Sequence, residues 1–151
     1  MGDAFVFAPA FRELEQILGR VASFQFAQKL DQMHGEAAEA ERRGTELLDS
    51  FEGKKTAILE EARETKQKGS QMLSTYIDQE SDALDGFEFL TMAEAGEVGH
   101  WEILRALNQR ARDAGIEQLV QWGIPIQQRH FEEAHQASLQ IAADEDPSKP
   151  A

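Results

Sequence analysis

The sequence has no cysteine, which excludes disulfide bonds, thiolate nucleophiles and cysteine-ligated zinc sites. It is also poor in basic residues: 15 lysines and arginines stand against 28 acidic residues, for a formal net charge of −13. That balance argues against nucleic acid as a partner, because phosphates require a basic face, and equally against an anionic membrane surface. No apolar run approaches the ~20 residues that a transmembrane helix needs.

Proline is scarce as well, with four residues in the chain. Three of the four prolines, Pro9, Pro147 and Pro150, lie near the ends. Between them the chain is rich in Ala, Glu, Gln, Leu and Arg, which favour helices, and it lacks alternating β-branched runs. The acidic start lacks the plan of a signal peptide, so we expect a cytoplasmic protein. The sequence predicts one all-α domain over residues 8–142, with loose termini at 1–7 and 143–151.

Apolar residues recur at steps of three and four in four stretches, at about 8–51, 56–76, 83–113 and 116–142, as the buried face of a helix requires. These stretches predict an antiparallel four-helix bundle. The apolar face of the first stretch shifts near residues 24–29, so a bend there would add a short fifth helix. We expect Ser81 or Asp82 as the N-cap of the third helix and Gly115 as its C-terminal cap residue. Pro125 should interrupt the fourth helix.

The third helix carries acidic residues at positions that should be buried. The positions of its apolar face are Phe87, Leu90, Glu94, Glu97, Trp101 and Leu104. Because burying an unpaired carboxylate is costly, such a group is normally paired or binds metal. His100 follows Glu97 by three residues, and a Glu-x-x-His motif places a carboxylate and an imidazole on the same side of a helix. Both side chains can therefore reach one metal ion.

The fourth helix carries a second cluster of possible ligands. Glu132 and His135 form another Glu-x-x-His, whereas His130 and Glu133 lie three apart on a different face. Apolar residues over the whole helix place its buried face near His130. Those that follow Pro125 place it near His135, so the pattern leaves both faces open.

Antiparallel packing of the third and fourth helices would bring the two clusters into one layer of the bundle. A turn near Gly115 puts Glu97 level with Glu132, Glu94 with His135, and His100 with His130. The candidate metal ligands are therefore Glu94, Glu97, His100, His130, Glu132 and His135. The alternative is that His130 is a core histidine with satisfied hydrogen bonds and that Glu132 faces water.

The third and fourth helices resemble the ferritin-like superfamily, whose four-helix bundles hold two metal ions with Glu and Glu-x-x-His ligands. Residues 94–107 are similar to the third bundle helix of the small bacterial YciF-like stress proteins. The resemblance implies that Glu94, Glu97, Glu132 and His135 are ligands. It places Glu36 and Glu39 at the ligand positions of the second bundle helix, where the expected Glu-x-x-His is absent, and Glu13 or Glu15 in the first.

Two functions follow from these expectations. One is a di-metal carboxylate protein that handles O2 or peroxide, as a ferroxidase- or peroxidase-like protein of metal or oxidative stress. Iron or manganese suits an oxygen-rich site with a few imidazoles. The other is a metal-free bundle with a structural, stress-protective or association role. The incomplete ligand set predicts a homodimer, as does a stripe of small residues on the second helix that comprises Ile58, Ala62, Thr65, Gly69, Met72 and Tyr76.

Overall fold

The computed structural model describes residues 24–51 and 53–148. This part of the chain forms four helices and no strand: α1 (Phe24–Leu48), α2 (Lys55–Tyr76), α3 (Ala83–Ala111) and α4 (Ala114–Asp144). The prediction of an all-α four-helix protein is confirmed. No helix in these two ranges has the length and apolar character needed to cross a membrane. The candidate ligands Glu13 and Glu15 lie outside the described residues, as does the part of the first stretch that precedes Phe24.

Asp82 starts α3, as one of the two predicted caps. Its side chain accepts a hydrogen bond of 3.0 Å from the backbone N–H of Asp85, and the Asp85 carboxylate accepts one of 3.0 Å from the backbone N–H of Asp82. This reciprocal pair is a capping box. It satisfies two of the backbone donors that a helix start leaves without partners.

The connection between α3 and α4 has two residues, as the sequence predicts, but it lies two residues earlier, at 112–113. Arg112, not Gly115, takes the left-handed conformation that ends α3, with a φ of 54°. Asp113 then caps α4 at once, accepting a hydrogen bond of 2.9 Å from the backbone N–H of Ile116. The predicted role of Gly115 is therefore wrong: it lies in the first turn of α4. A Cβ atom built on Gly115 would lie 2.5 Å from a Leu47 methyl group, so close packing against α1 explains this glycine.

Helices α3 and α4 form an antiparallel hairpin that supplies most of the packing in the described chain. Helix α1 packs on α4, and α2 makes few contacts. Two apolar clusters fill the interior. The first cluster comprises Leu30, Met33, Leu73, Ile77, Phe87, Phe89, Leu90, Ala93, Ala134 and Ala137. The second cluster, nearer the α3–α4 turn, comprises Trp101, Leu104, Ile116, Leu119, Val120 and Ile124.

Helix α4 is not interrupted at Pro125, contrary to the prediction. It runs from Ala114 to Asp144 with the proline inside it. Pro125 lies on the exposed side of the helix. Gly123, two residues earlier, faces inward against Trp101. The residues before and after Pro125 therefore belong to one helix with one buried face, which decides the orientation of the histidines that follow.

Candidate functional site

A layer of polar side chains separates the two apolar clusters. Glu94 and Glu97 of α3 are 1% and 4% exposed, and His130 of α4 is 2% exposed. The sequence pattern predicted buried carboxylates at these two positions of α3, and the structure buries both. We call the set of Glu36, Glu94, Glu97, Gln127, Arg129 and His130 the polar layer. Its members come from α1, α3 and α4.

His130 lies between two carboxylates. Its Nε2 atom is 2.7 Å from Oε2 of Glu36 on α1, and its Nδ1 atom is 3.6 Å from Oε2 of Glu94 on α3. Burial favours the neutral ring, but the hydrogen bonds and charges of Glu94 and Glu36 outweigh it and raise the pKa of His130. This geometry suits a protonated imidazole whose Nε2 atom donates to Glu36 and whose Nδ1 atom lies at ion-pair distance from Glu94.

Glu36 has a second cationic partner in Arg129. One guanidinium nitrogen, Nη2, donates to both carboxylate oxygens of Glu36 at 2.7 Å. Burial alone would raise the pKa of Glu36, but hydrogen bonds from His130, Arg129 and Gln32 lower it. The Nη1 atom of Arg129 lies 4.0 Å from Oε2 of Glu133. Glu36 is therefore held as a carboxylate between Arg129 and the His130 ring.

Gln127 completes the surroundings of Glu94 by donating from its side-chain amide to Oε2. The residues predicted from the sequence pattern did not include Gln127 and Arg129 as members of the layer. A signal for Gln127 was present: it precedes His130 by three residues, so the two lie on neighbouring turns of one helix face. Arg129 gave no comparable signal, because its partner Glu36 lies 93 residues away in the chain.

His100 lies one turn beyond Glu97 on α3 and is half-buried. Its Nδ1 atom is buried and has no hydrogen-bond partner in the described part of the chain. Leaving a buried polar atom in this state is unfavourable. The first Glu-x-x-His motif therefore places one buried carboxylate and one buried imidazole nitrogen on the same side of α3.

The second Glu-x-x-His motif points away from the layer. Glu132 and His135 are both exposed, and His135 stacks on Phe131 with 5.8 Å between ring centroids. The predicted pairing of Glu94 with His135 is replaced by the contact of Glu94 with His130, more than one turn earlier on α4. The physical reason is that α4 continues through Pro125, so the buried face of the whole helix sets the orientation.

Glu39, the other acidic candidate on α1, does not join the polar layer. It accepts hydrogen bonds of 2.7 Å from Arg42 and Arg43 on its own helix. These bonds lower the pKa of Glu39 to about 2. Glu36, three residues earlier, is the α1 carboxylate that faces α4.

Across residues 24–51 and 53–148, no three acidic or imidazole side chains are arranged so that they could hold a metal ion as they stand. The layer instead pairs its own charges, with His130 and Arg129 placed against Glu36 and Glu94. Comparisons with known proteins add no assignment: no protein-family model, no curated protein and no solved structure matches this chain.

Proposed function

We propose that this chain is a ferritin-like helical bundle whose polar layer binds iron or manganese and serves in metal or oxidative stress handling. One observation carries the proposal: the carboxylates of Glu36 and Glu94 face the buried His130 ring from two other helices, and the buried carboxylate of Glu97 lies one turn beyond Glu94 on α3. Carboxylate oxygens with a few imidazoles are ligands that suit iron and manganese.

The residues present fit such an ion in type and burial. Glu94 and Glu97 would provide the carboxylates from α3, and Glu36 a third from α1. His100 would provide an imidazole, because its buried Nδ1 atom has no hydrogen-bond partner in the described chain. When bound, the metal would supply reactivity toward O2 or peroxide. Binding requires the Glu36–His130–Glu94 contacts to open, because these carboxylates now face opposite nitrogens of the His130 ring.

A specific observation also supports the second function, a metal-free bundle with a structural or association role. The His130 ring, the Arg129 guanidinium and the Gln127 amide already contact Glu36 and Glu94. Buried ion pairs of this kind add little net stability and can instead fix which helix faces meet. Under this function the polar layer sets the register of α1, α3 and α4.

Metal stoichiometry separates the two functions. The measurement uses untagged protein purified without chelator, incubated with Fe(II) or Mn(II) and then desalted. We expect bound metal in the wild type and its loss in Glu97→Gln. The control is Glu102→Gln, an exposed glutamate on the same helix, which should bind like the wild type. Equal binding by both variants assigns the metal to the acidic surface, and no binding by the wild type supports the metal-free function.

The proposal includes a cytoplasmic homodimer. Support for a dimer comes from large apolar side chains that stay exposed in the described chain. They include Met92, Ile103 and Leu107 on α3 and Tyr76 on α2. Light scattering at micromolar to millimolar concentration tests the dimer, because a constant mass of 16.9 kDa would contradict it.

A further inference from the structure

One face of α3 is apolar and has no partner in the described part of the chain. Met92, Ile103 and Leu107 are 42%, 58% and 65% exposed. Gly96 and Gly99 lie between them, and a Cβ atom built on either would meet nothing within 4 Å. The five residues are spaced by four, three, four and four positions, so they form one stripe along the helix. We call Met92, Gly96, Gly99, Ile103 and Leu107 the α3 stripe.

An open groove lies beside the N-terminal end of the α3 stripe. It has a volume of about 250 Å³ and is lined by Tyr76, Asp85, Glu88, Phe89 and Met92. Tyr76 of α2 is 60% exposed there, and its ring centroid lies 5.9 Å from that of Phe89. The groove is therefore an apolar hollow with acidic residues on its α3 side.

The sequence along the α3 stripe is self-complementary when read in opposite directions. Its midpoint lies between Gly96 and Gly99. Met92 and Ile103 are equally distant from that point, and so are Asp85 and Arg110. A two-fold axis at the midpoint would therefore set Met92 against Ile103 and the acidic end of each helix against the basic end of the other. The two glycines would let the helix backbones approach closely at the centre.

We propose that the α3 stripe is the interface of an antiparallel, two-fold symmetric dimer of this chain. In this arrangement Ile103 of the second copy lies on Met92, and Leu107 of the second copy lies near Glu88, so both enter the groove beside Tyr76. A two-fold contact uses the same patch on both copies, and the pairs Gly96–Gly99, Met92–Ile103 and Asp85–Arg110 meet that requirement. The interface rests on the dimer of the proposed function but not on its metal.

The interface is small, because it uses one helix face with five stripe positions on each copy. Stable complexes usually bury about 1,200–2,000 Å² in total. The dimer should therefore be concentration-dependent, with dissociation faster than in an obligate dimer. The α3 stripe is the interface, with Tyr76 at its edge; Gly69, from the middle of the small-residue stripe of α2, is buried within the chain.

Disulfide trapping tests the register directly, because the natural chain has no cysteine. Met92→Cys and Ile103→Cys are made as separate single variants and oxidised alone and as an equal mixture. We expect the mixture to form the mixed disulfide dimer at least tenfold more than either variant alone. The control pairs Met92→Cys with Met72→Cys, whose residue is 44% exposed on α2, and should not cross-link above background.

Other outcomes overturn the proposal in distinguishable ways. Efficient cross-linking of Met92→Cys with itself means a parallel contact. A dimer in light scattering without the mixed disulfide means that the homodimer uses another face, so the proposed function survives and this interface fails. A monomer at all concentrations, with both cysteines protected from a thiol reagent, means that residues 1–23 cover the α3 stripe. A monomer whose cysteines both react with the thiol reagent means that the α3 stripe is exposed to solvent.

A charge substitution gives an independent readout that also checks folding. Ile103→Glu should raise the dimer dissociation constant at least tenfold while leaving the helical circular dichroism unchanged. Leu139→Glu, at a residue 50% exposed on α4, is the matched control and should leave the dissociation constant within twofold. Equal effects of the two changes would contradict the α3 interface.

Discussion

The two Glu-x-x-His motifs of this chain have the same spacing and opposite environments. In the motif on α3, Glu97 is buried and the Nδ1 atom of His100 is enclosed. In the motif on α4, Glu132 and His135 are exposed, and it is His130, outside that motif, that enters the interior. The comparison teaches that the motif reports only which residues share a helix side. The rotation of the helix about its own axis, which packing against the other helices sets, decides whether that side faces the core.

The largest expected difference is in the free energy of unfolding, between substitutions of an inward and an outward histidine of α4. His130→Ala leaves Glu94 and Glu36 without their shared cation and should lower the free energy of unfolding by about 3–5 kcal/mol. His135→Ala, at an exposed residue, should change it by less than about 0.5 kcal/mol. Urea unfolding of the metal-free protein at neutral pH measures both. Similar values for the two variants would mean that the orientation of α4 is wrong.

Glycine gives a second contrast between inward and outward positions. A Cβ atom on Gly123 would lie 2.4, 2.6 and 2.8 Å from three ring carbons of Trp101. Gly123→Ala should therefore lower the free energy of unfolding by about 1–3 kcal/mol. Gly35 of α1 has nothing within 4 Å of its Cβ position, so Gly35→Ala should raise it by up to about 1 kcal/mol. Opposite signs in thermal unfolding support the packing, and a stabilising Gly123→Ala contradicts it.

The pH dependence of the free energy of unfolding is a smaller effect that also distinguishes His130 from His135. Glu94 and Glu36 raise the pKa of His130 above 6.5 in the folded protein. The stabilisation from its proton is fully present below the unfolded pKa and is lost as the pH rises through the folded pKa. Glu36 has a lowered pKa, so its contribution is present above the unfolded value and is lost as the pH falls through the folded one.

Urea unfolding of the metal-free protein between pH 6 and 9 follows this loss. The wild type and His135→Ala should both lose stability as the pH rises through the folded pKa of His130. His130→Ala should lack that component, because the group that releases the proton is gone. Identical slopes in all three proteins would show that His130 does not carry the linked proton.

Much of the fold could be predicted from local sequence. The second stretch was predicted at residues 56–76 and forms a helix over Lys55–Tyr76, because helix propensity and apolar spacing act over short distances. The burial of Glu94 and Glu97 followed from the same spacing. Asp82 was one of two expected caps, and it forms the capping box. These features need only residues within one or two helical turns.

What the sequence left open depends on long-range packing. Which face of α4 is buried depended on whether Pro125 divides the helix, and local helix propensity does not decide that. The part of Arg129 in the polar layer depends on Glu36, a residue on another helix. Gly115 lies in the first turn of α4 and not at the end of α3, because Arg112 and Asp113 form the whole connection between the two helices. The first two features depend on packing between helices, whereas the turn is closed by local hydrogen bonds that the glycine pattern did not indicate.

The location of a bound metal ion is the most direct test of whether the buried groups of the polar layer form the metal site. Crystals grown without chelator and soaked in Mn(II) or Fe(II) would be measured at the metal absorption edge. We expect an anomalous peak within the polar layer, in contact with Glu94 or Glu97, where the metal displaces the contacts of His130. A peak at Glu132 and His135 on the exposed face of α4, or no peak in soaked crystals, would contradict it.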